Sequence, residues 1–226
     1  MLGSLEPQGR LFHPAFGETL SYRLDRVVDD PDEQVAQVVQ MMARLVREDT
    51  PDPRVQADAA NAAQSVAGCD PIEGVFQWVR SRMQFVRDEQ TAAPIQPLYK
   101  EDIVEVLVRP RDMVDAKRAQ GDCDDYVMYG AALLRALGVP VNFVTVAADP
   151  AGPAQYTHVY LAAYPRGRGR VPMDISHGPA PGWEAPNVFG KRKEWLVDGP
   201  YHGPVAAAIG LGLMALSLAI VAGKVN

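Results

Sequence analysis

An α+β fold is the class that this 226-residue sequence predicts. Up to about residue 137 the apolar residues recur at helical spacing, and after residue 140 they alternate as strands require. Helices therefore come first and an antiparallel sheet second, an order that sets the two side by side in one domain. The bulk numbers agree, since 47% hydrophobic and 22% charged residues suffice to bury a core.

The elements follow in chain order. Residues 1–30 look irregular apart from a strand near Thr19–Leu24. Asp32–Glu48 reads as a helix, capped by Asp30 or Asp32, with Val35, Val38, Val39, Met42 and Leu45 as its apolar stripe. Pro51 and Pro53 break the chain, and residues 54–67 are Ala- and Gln-rich and helical. Asp70-Pro71 opens a third helix over Ile72–Met83, because Asp caps and Pro fits the first turn. Phe85-Val86-Arg87 reads as a short strand and Asp102–Leu107 as a helical turn before Pro110. A helix runs from Cys123 to about Leu137, where Gly138 and Pro140 stop it. Three strands follow, at Val141–Ala147, Tyr156–Tyr164 and Val171–Ile175, and residues 176–203 read as loop. The chain thus divides into an N-terminal helical region (1–68), a core (69–200) and an apolar C-terminal segment (203–223).

Charge and cysteine content exclude several function classes. A formal net charge of -6 with scattered Lys and Arg does not suit a nucleic-acid binder. Two cysteines, Cys69 and Cys123, make neither a disulfide framework nor a structural zinc site. Free thiols suit a reducing compartment. Met1–Arg10 lacks the pattern of a secretory signal, so synthesis in the cytoplasm is expected, with membrane or virion association open. Gly203–Gly223 carries no charge and as a helix would span roughly 30 Å, one bilayer core. It reads as a membrane anchor or a self-association helix, the latter through Ala206/Gly210 and Ala208/Gly212.

One set of residues carries chemistry. Cys123 opens a helix, where free N–H groups and the helix dipole lower a thiol pKa and can hold an oxyanion. His158 lies at the start of a strand 35 residues on, and Asp174 on the next strand. Antiparallel neighbours bring such a carboxylate beside the imidazole, where it fixes the tautomer. Asp122, Asp124 and Asp125 flank the cysteine. They either cap the helix or offer hard oxygen ligands to calcium. His177 reads as a loop residue, Cys69 as packing, Tyr156 and Tyr160 as packing, and Trp183 as a cleft cover or loop anchor.

At these residues the sequence resembles the transglutaminase-like superfamily. Gln120-Gly121-Asp122-Cys123-Asp124-Asp125-Tyr126 with Leu133–Pro140 is similar to its nucleophile helix. Thr157-His158-Val159-Tyr160-Leu161 is similar to its histidine strand, and Pro172-Met173-Asp174 to its aspartate strand. Phe76-Gln77-Trp78-Val79 and Phe85-Val86-Arg87-Asp88 resemble the helix and strand ahead of the core. The Gly-Asp-Cys-Asp-Asp motif is nearest to bacterial and tailed-phage cysteine proteinases of this kind. The resemblance implies a papain-like core, with a nucleophile helix packed on an antiparallel sheet. It implies a Cys123 nucleophile, a His158 base and an Asp174 orienter, with Gln120 as an oxyanion donor. Calcium on Asp122, Asp124 and Asp125 is a further expectation, and no other cofactor is required. The implied activity is that of a cysteine peptidase or amidase working through a thioester on a protein or peptide, with acyl transfer second. The alternative is a structural or assembly component, such as a phage particle protein, that keeps the fold and packs its apolar tail on partners or membrane.

Overall fold

The computed structural model describes residues 11–13, 17–20, 22–25, 30–93, 103–116 and 118–197. Helices and sheet share one chain, as an α+β transglutaminase-like fold requires. Two short strands, β1 (Leu11–His13) and β2 (Gly17–Leu20), form an antiparallel ribbon. Next, β3 (Tyr22–Asp25) pairs with β5 (Ile103–Leu107). The stretch expected to be helical is so from Pro31 onward, with strands ahead of it.

Capping explains where the helices begin. In α1 (Pro31–Asp49) the Asp30 carboxylate accepts from the Asp32 and Glu33 N–H groups. Asp52 does the same for α2 (Pro53–Gln64), and Asp70 for α3 (Pro71–Arg82). Each is an Asp-Pro pairing or its near equivalent, so the sequence marks each start. Gly74 of α3 lies against the backbone of Ala62 in α2, and a Cβ there would meet the Ala62 carbonyl.

The central element is α6 (Cys123–Ala136). Every residue from Asp124 to Ala136 is buried. On one side lie α1, α2 and α3. On the other lies the four-stranded antiparallel sheet, ordered β10-β7-β8-β9. Its strands are β7 (Val141–Val146), β8 (His158–Ala163), β9 (Val171–Met173) and β10 (Arg192–Leu196). Phe143, Leu161 and Met173 belong to the main core. Val144, Val146, Tyr160 and Ala162 form a smaller one on the other face of the sheet, packed under Trp183. That division is the period-2 alternation read from the sequence.

Four local readings change. Ile103–Leu107 is a strand, not a helical turn, because alternating β-branched residues (Ile103, Val104, Val106) favour extended backbone. The strand expected at Phe85–Arg87 is β4 (Met83–Phe85), which pairs in parallel with β6 (Ala119–Gly121). The stretch after residue 176 read as loop contains β10. Arg192, Lys193 and Glu194 disguise it, yet charges suit an exposed edge strand. Two short helices, α4 (Asp88–Ala92) and α5 (Pro110–Asp115), also stand in the mixed stretch. The expected apolar helix at 203–223 lies outside the described residues. Among the described residues no helix is long and apolar enough to cross a membrane.

One buried ion pair ties the helical layer to the segment before α6. The Arg109 guanidinium bonds both oxygens of Asp49, the last residue of α1, and Glu48 adds a third contact at 3.2 Å. Asp49 is fully buried and also accepts from the Arg111 N–H. Removing one partner would strand a buried charge. Asp49→Ala is therefore expected to cost about 3–5 kcal/mol of unfolding free energy, measured by urea denaturation. A cost under about 1 kcal/mol would show that the pair is not essential to the fold.

Candidate active site

Cys123 stands at the first helical position of α6, behind the Asp122 cap. Gly121 precedes it, and what the site requires there is space. A Cβ at 121 would collide with the Asp125 carboxylate, so glycine permits a close approach rather than a left-handed turn. Asp125 uses its position to accept the Val108 N–H at 2.8 Å, which anchors α6 to the end of β5.

His158 opens β8, opposite Val146 on β7. The β8–β9 register pairs Leu161 with Met173. Carried one residue further, it places Asp174 opposite Tyr160 and so diagonal to His158, within reach of a long side chain. His158 Nε2 and Asp174 Oδ2 lie 2.7 Å apart, with His158 almost buried and Asp174 fully so. Asp174 Oδ1 accepts from Ser176 Oγ at 3.1 Å and from the His177 N–H at 3.0 Å. Burial alone would raise the Asp174 pKa. The bond and charge of His158, with Ser176 and the His177 N–H, outweigh that and hold it below its ordinary value of 3.8.

Cys123, His158 and Asp174 line one cleft of 650 Å³. Phe85, Trp183 and Pro186 are also in its wall. The Val159 N–H, next to His158, hydrogen-bonds the Cys123 sulfur. Cys123 and His158 also open together on a second cavity of 190 Å³. Gln120 lies in β6, paired with Gln84, and is in the wall of neither cavity.

The three predicted carboxylates do not form a group of their own. They divide around Asp122, where Asp124 joins with Glu105, and Asp125 with Asp88. In each set the oxygens lie within 4.8 Å of one another. Burial first, and neighbouring charge next, push Glu105, Asp124 and Asp125 well above the usual carboxylate range, and Asp88 up to about 7. Glu105 touches both Asp88 and Asp124 through carboxylate hydrogen bonds, which require a proton or a cation between the oxygens. Asp88 Oδ2 accepts the Val106 N–H at 2.6 Å, while Oδ1 is buried and receives no hydrogen bond. Sequence reasoning missed Asp88 and Glu105. Asp88 ends the quoted Phe-Val-Arg-Asp stretch, and Glu105 became visible only once its segment was a strand.

The same field acts on the thiol. Burial raises the Cys123 pKa first, and Asp122, Glu105 and Asp88 raise it further. Burial first, and these carboxylates next, outweigh the helix terminus, so the thiol pKa is raised at this helix start rather than lowered as expected.

Residues 54–175 match the family model of the transglutaminase-like superfamily. The chain belongs to that superfamily. A solved structure described as a crystal structure of a TGase is 13% identical, with a TM-score of 0.35, and covers 69% of this chain. The chain spans 35% of that protein's length. No curated protein matches the chain. Members of the superfamily are often cysteine-dependent enzymes.

Two neighbours of the His158–Asp174 pair are His177, read from the sequence as a loop residue, and Trp183, read as a cleft cover or loop anchor. His177 packs edge-on against His158 at 5.0 Å and against Phe85 at 5.0 Å. Burial and the nearby His158 charge lower its pKa and keep it neutral. Trp183 sits in the cleft wall, held by the turn at Gly178, where a Cβ would meet its ring. Arg80 fixes that turn through the Gly178 carbonyl.

The depressed Asp174 pKa sets a pH signature. A carboxylate lowered in the fold stabilises it above the unfolded value of about 3.8, and that contribution disappears as pH falls through the lower folded value. Asp174→Asn is expected to lose about 1–3 kcal/mol at pH 7. Melting temperatures recorded against pH should begin to converge with those of wild type below about pH 4 and meet only below the lowered folded value. A gap that stays constant with pH would show that the charge is not what stabilises this pair.

Proposed function

We propose that this protein is a cysteine peptidase or amidase in which Cys123 attacks, His158 moves the proton and Asp174 orients the imidazole. The observation that carries the reading is the meeting of Cys123 and His158 on one 650 Å³ cleft while His158 bonds a buried Asp174 at 2.7 Å. Nε2–H of His158 donates to Asp174, which leaves Nδ1 to take the thiol proton. Because the thiol is held above its ordinary pKa, proton transfer accompanies attack rather than preceding it. Sulfur adds to the substrate carbonyl, and the oxyanion falls to the Cys123 N–H. The N–H groups of Asp124 and Asp125 are already taken by the carboxylates of Asp122 and Asp124. His158 returns the proton to the leaving amine, and a thioester remains. Water, deprotonated by His158, then releases the acid and restores the thiol.

Hydrolysis comes before acyl transfer because the rim admits water. Glu89, Asp149, His177 and Pro186 of the cleft wall are exposed. No feature of the site favours an assembly role over this chemistry.

Calcium belongs to the same proposal. The donors are all hard oxygens, one of them a buried oxygen without a hydrogen bond, which is what this cation takes. Asp88, Glu105, Asp122, Asp124 and Asp125 would hold it in one or both sets. Bound calcium would offset the negative field that now raises the thiol pKa.

Alkylation by iodoacetamide, followed by mass spectrometry, tests both parts. Without calcium, Cys123 is expected to react slowly at pH 7 and to remain slow as pH passes the ordinary thiol value of 9.0, gaining rate only above it. Calcium should accelerate the reaction at pH 7 and raise the melting temperature, and Asp88→Asn should weaken both effects. His158→Ala should lower amide hydrolysis by about 10²–10⁴-fold. Alkylation indifferent to His158 would sink the catalytic pair. Indifference of both rate and melting temperature to calcium would sink the metal site alone.

A further inference from the structure

We propose that the 190 Å³ cavity between α1 and the start of β8 is a substrate subsite that takes one aliphatic side chain next to the bond Cys123 attacks. The assignment rests on the thiol reading above. Val35, Val38, Val39 and Met42 of α1 line the cavity with Val159 of β8, while Glu105, Asp122 and Asp124, one of the two carboxylate sets, also line it near Cys123. Cys123 and His158 are lining residues of both this cavity and the main cleft. An acyl group on the sulfur therefore has one substituent that can run along the open cleft and another that meets this apolar wall.

Size selects the occupant. Liquid water occupies about 30 Å³ per molecule, so the cavity equals roughly six waters. Sites for drug-sized ligands start at about 300 Å³. One branched side chain fits, and a whole ligand does not. The apolar stripe of α1 gives the chemistry. Its C-terminal part, Met42, Leu45 and Val46, is core, whereas Val35 and Val38 are only partly buried. Those two valines end at a cavity beside the nucleophile, and filling it would remove apolar surface from water.

The N-terminal end of this wall has one exposed tie. Lys191 bonds Asp32 in the first turn of α1 at 2.6 and 2.9 Å and the Ala154 carbonyl at 2.6 Å, and it lies over the Tyr156 ring. Tyr156 is itself a lining residue. The helix that supplies the wall, residues 31–49, precedes the family-matched region, which begins at 54. Selectivity here would belong to this chain rather than to the shared core.

The test uses the full chain as Cys123→Ala, with carbon-13 methyl labels on Val and Met. N-acetyl-leucinamide is expected to shift the Val35, Val38 and Met42 methyl signals saturably, and N-acetyl-glycinamide is not. Val38→Trp, which fills the cavity from its partly exposed side, should abolish the shifts while leaving the circular dichroism unchanged. In the Cys123-containing protein, a leucine chloromethyl ketone should alkylate Cys123 about tenfold faster than the glycine analogue, and Val38→Trp should bring that ratio close to one. Equal shifts from both amides, or stronger ones from N-acetyl-lysinamide drawn by Glu105, Asp122 and Asp124, would overturn the aliphatic assignment. An inert Cys123 with intact leucine shifts would remove the thiol reading and keep the pocket. A reactive Cys123 without those shifts would remove the pocket alone.

Discussion

The burial of α6 on every side is the constraint on which the site depends. A helix with one apolar stripe can slide or roll on its support. This one has neighbours on all faces, from Asp124 to Ala136, with three helices on one flank and β8 on the other. Its N-terminus is consequently fixed against the start of β8, so that Cys123 comes beside Val159 and shares a cleft with His158. Packing also forces Asp124 and Asp125 inside, where charged groups are seldom found without partners. The geometry that positions the nucleophile is therefore the geometry that buries its acidic neighbours.

Two electrostatic effects compete at that helix end, and their magnitudes decide the outcome. A helix N-terminus favours an anion by about 0.3–1 kcal/mol, rising to about 2 in partly buried settings. Two carboxylate charges within 4.8 Å repel by about 3–4 kcal/mol at an effective dielectric of about 20. Several such pairs surround Asp122. Burial and repulsion win, so the carboxyl pKa values rise and the thiol rises with them. Such a cluster either stays partly protonated or takes up positive charge. In both cases thiol reactivity is coupled to what the carboxylates hold.

Local signals explain what was legible in the sequence. Asp30 and Asp70 mark two helix starts within a residue or two, and the second break residue, Pro53, is itself the first residue of α2 behind the Asp52 cap. Alternation after Pro140 marks β7 and β8, and the spacing of His158 and Asp174 anticipates their contact. Long-range placement was not legible. Glu105 reaches the Cys123 helix only because β5 runs past it, and no spacing rule links residues 105 and 122. Asp88 was equally hidden, since a lone acid after a short strand is ordinary surface chemistry. The thiol shift was legible only in part: the acidic residues beside Cys123 oppose the helix terminus visibly, whereas the burial and two of the three raising charges come from other elements. Edge strand β10 was concealed by its charges, which are what an exposed edge needs.

The helix α1 joins these strands of argument. It is fastened at one end by the buried Asp49–Arg109 pair and at the other by Lys191 on Asp32. The two anchors differ in kind. The first is buried and costly to break, while the second is exposed and worth at most about 1 kcal/mol. The C-terminal half of α1 is thus bound into the core. Its first turns, bearing Val35 and Val38, rest on the weaker contact. If the cavity beside Cys123 is to admit side chains of different shape, this is the end of the wall that can yield. The fold would then place its rigidity at the nucleophile and its compliance one helix away, where substrate choice is made.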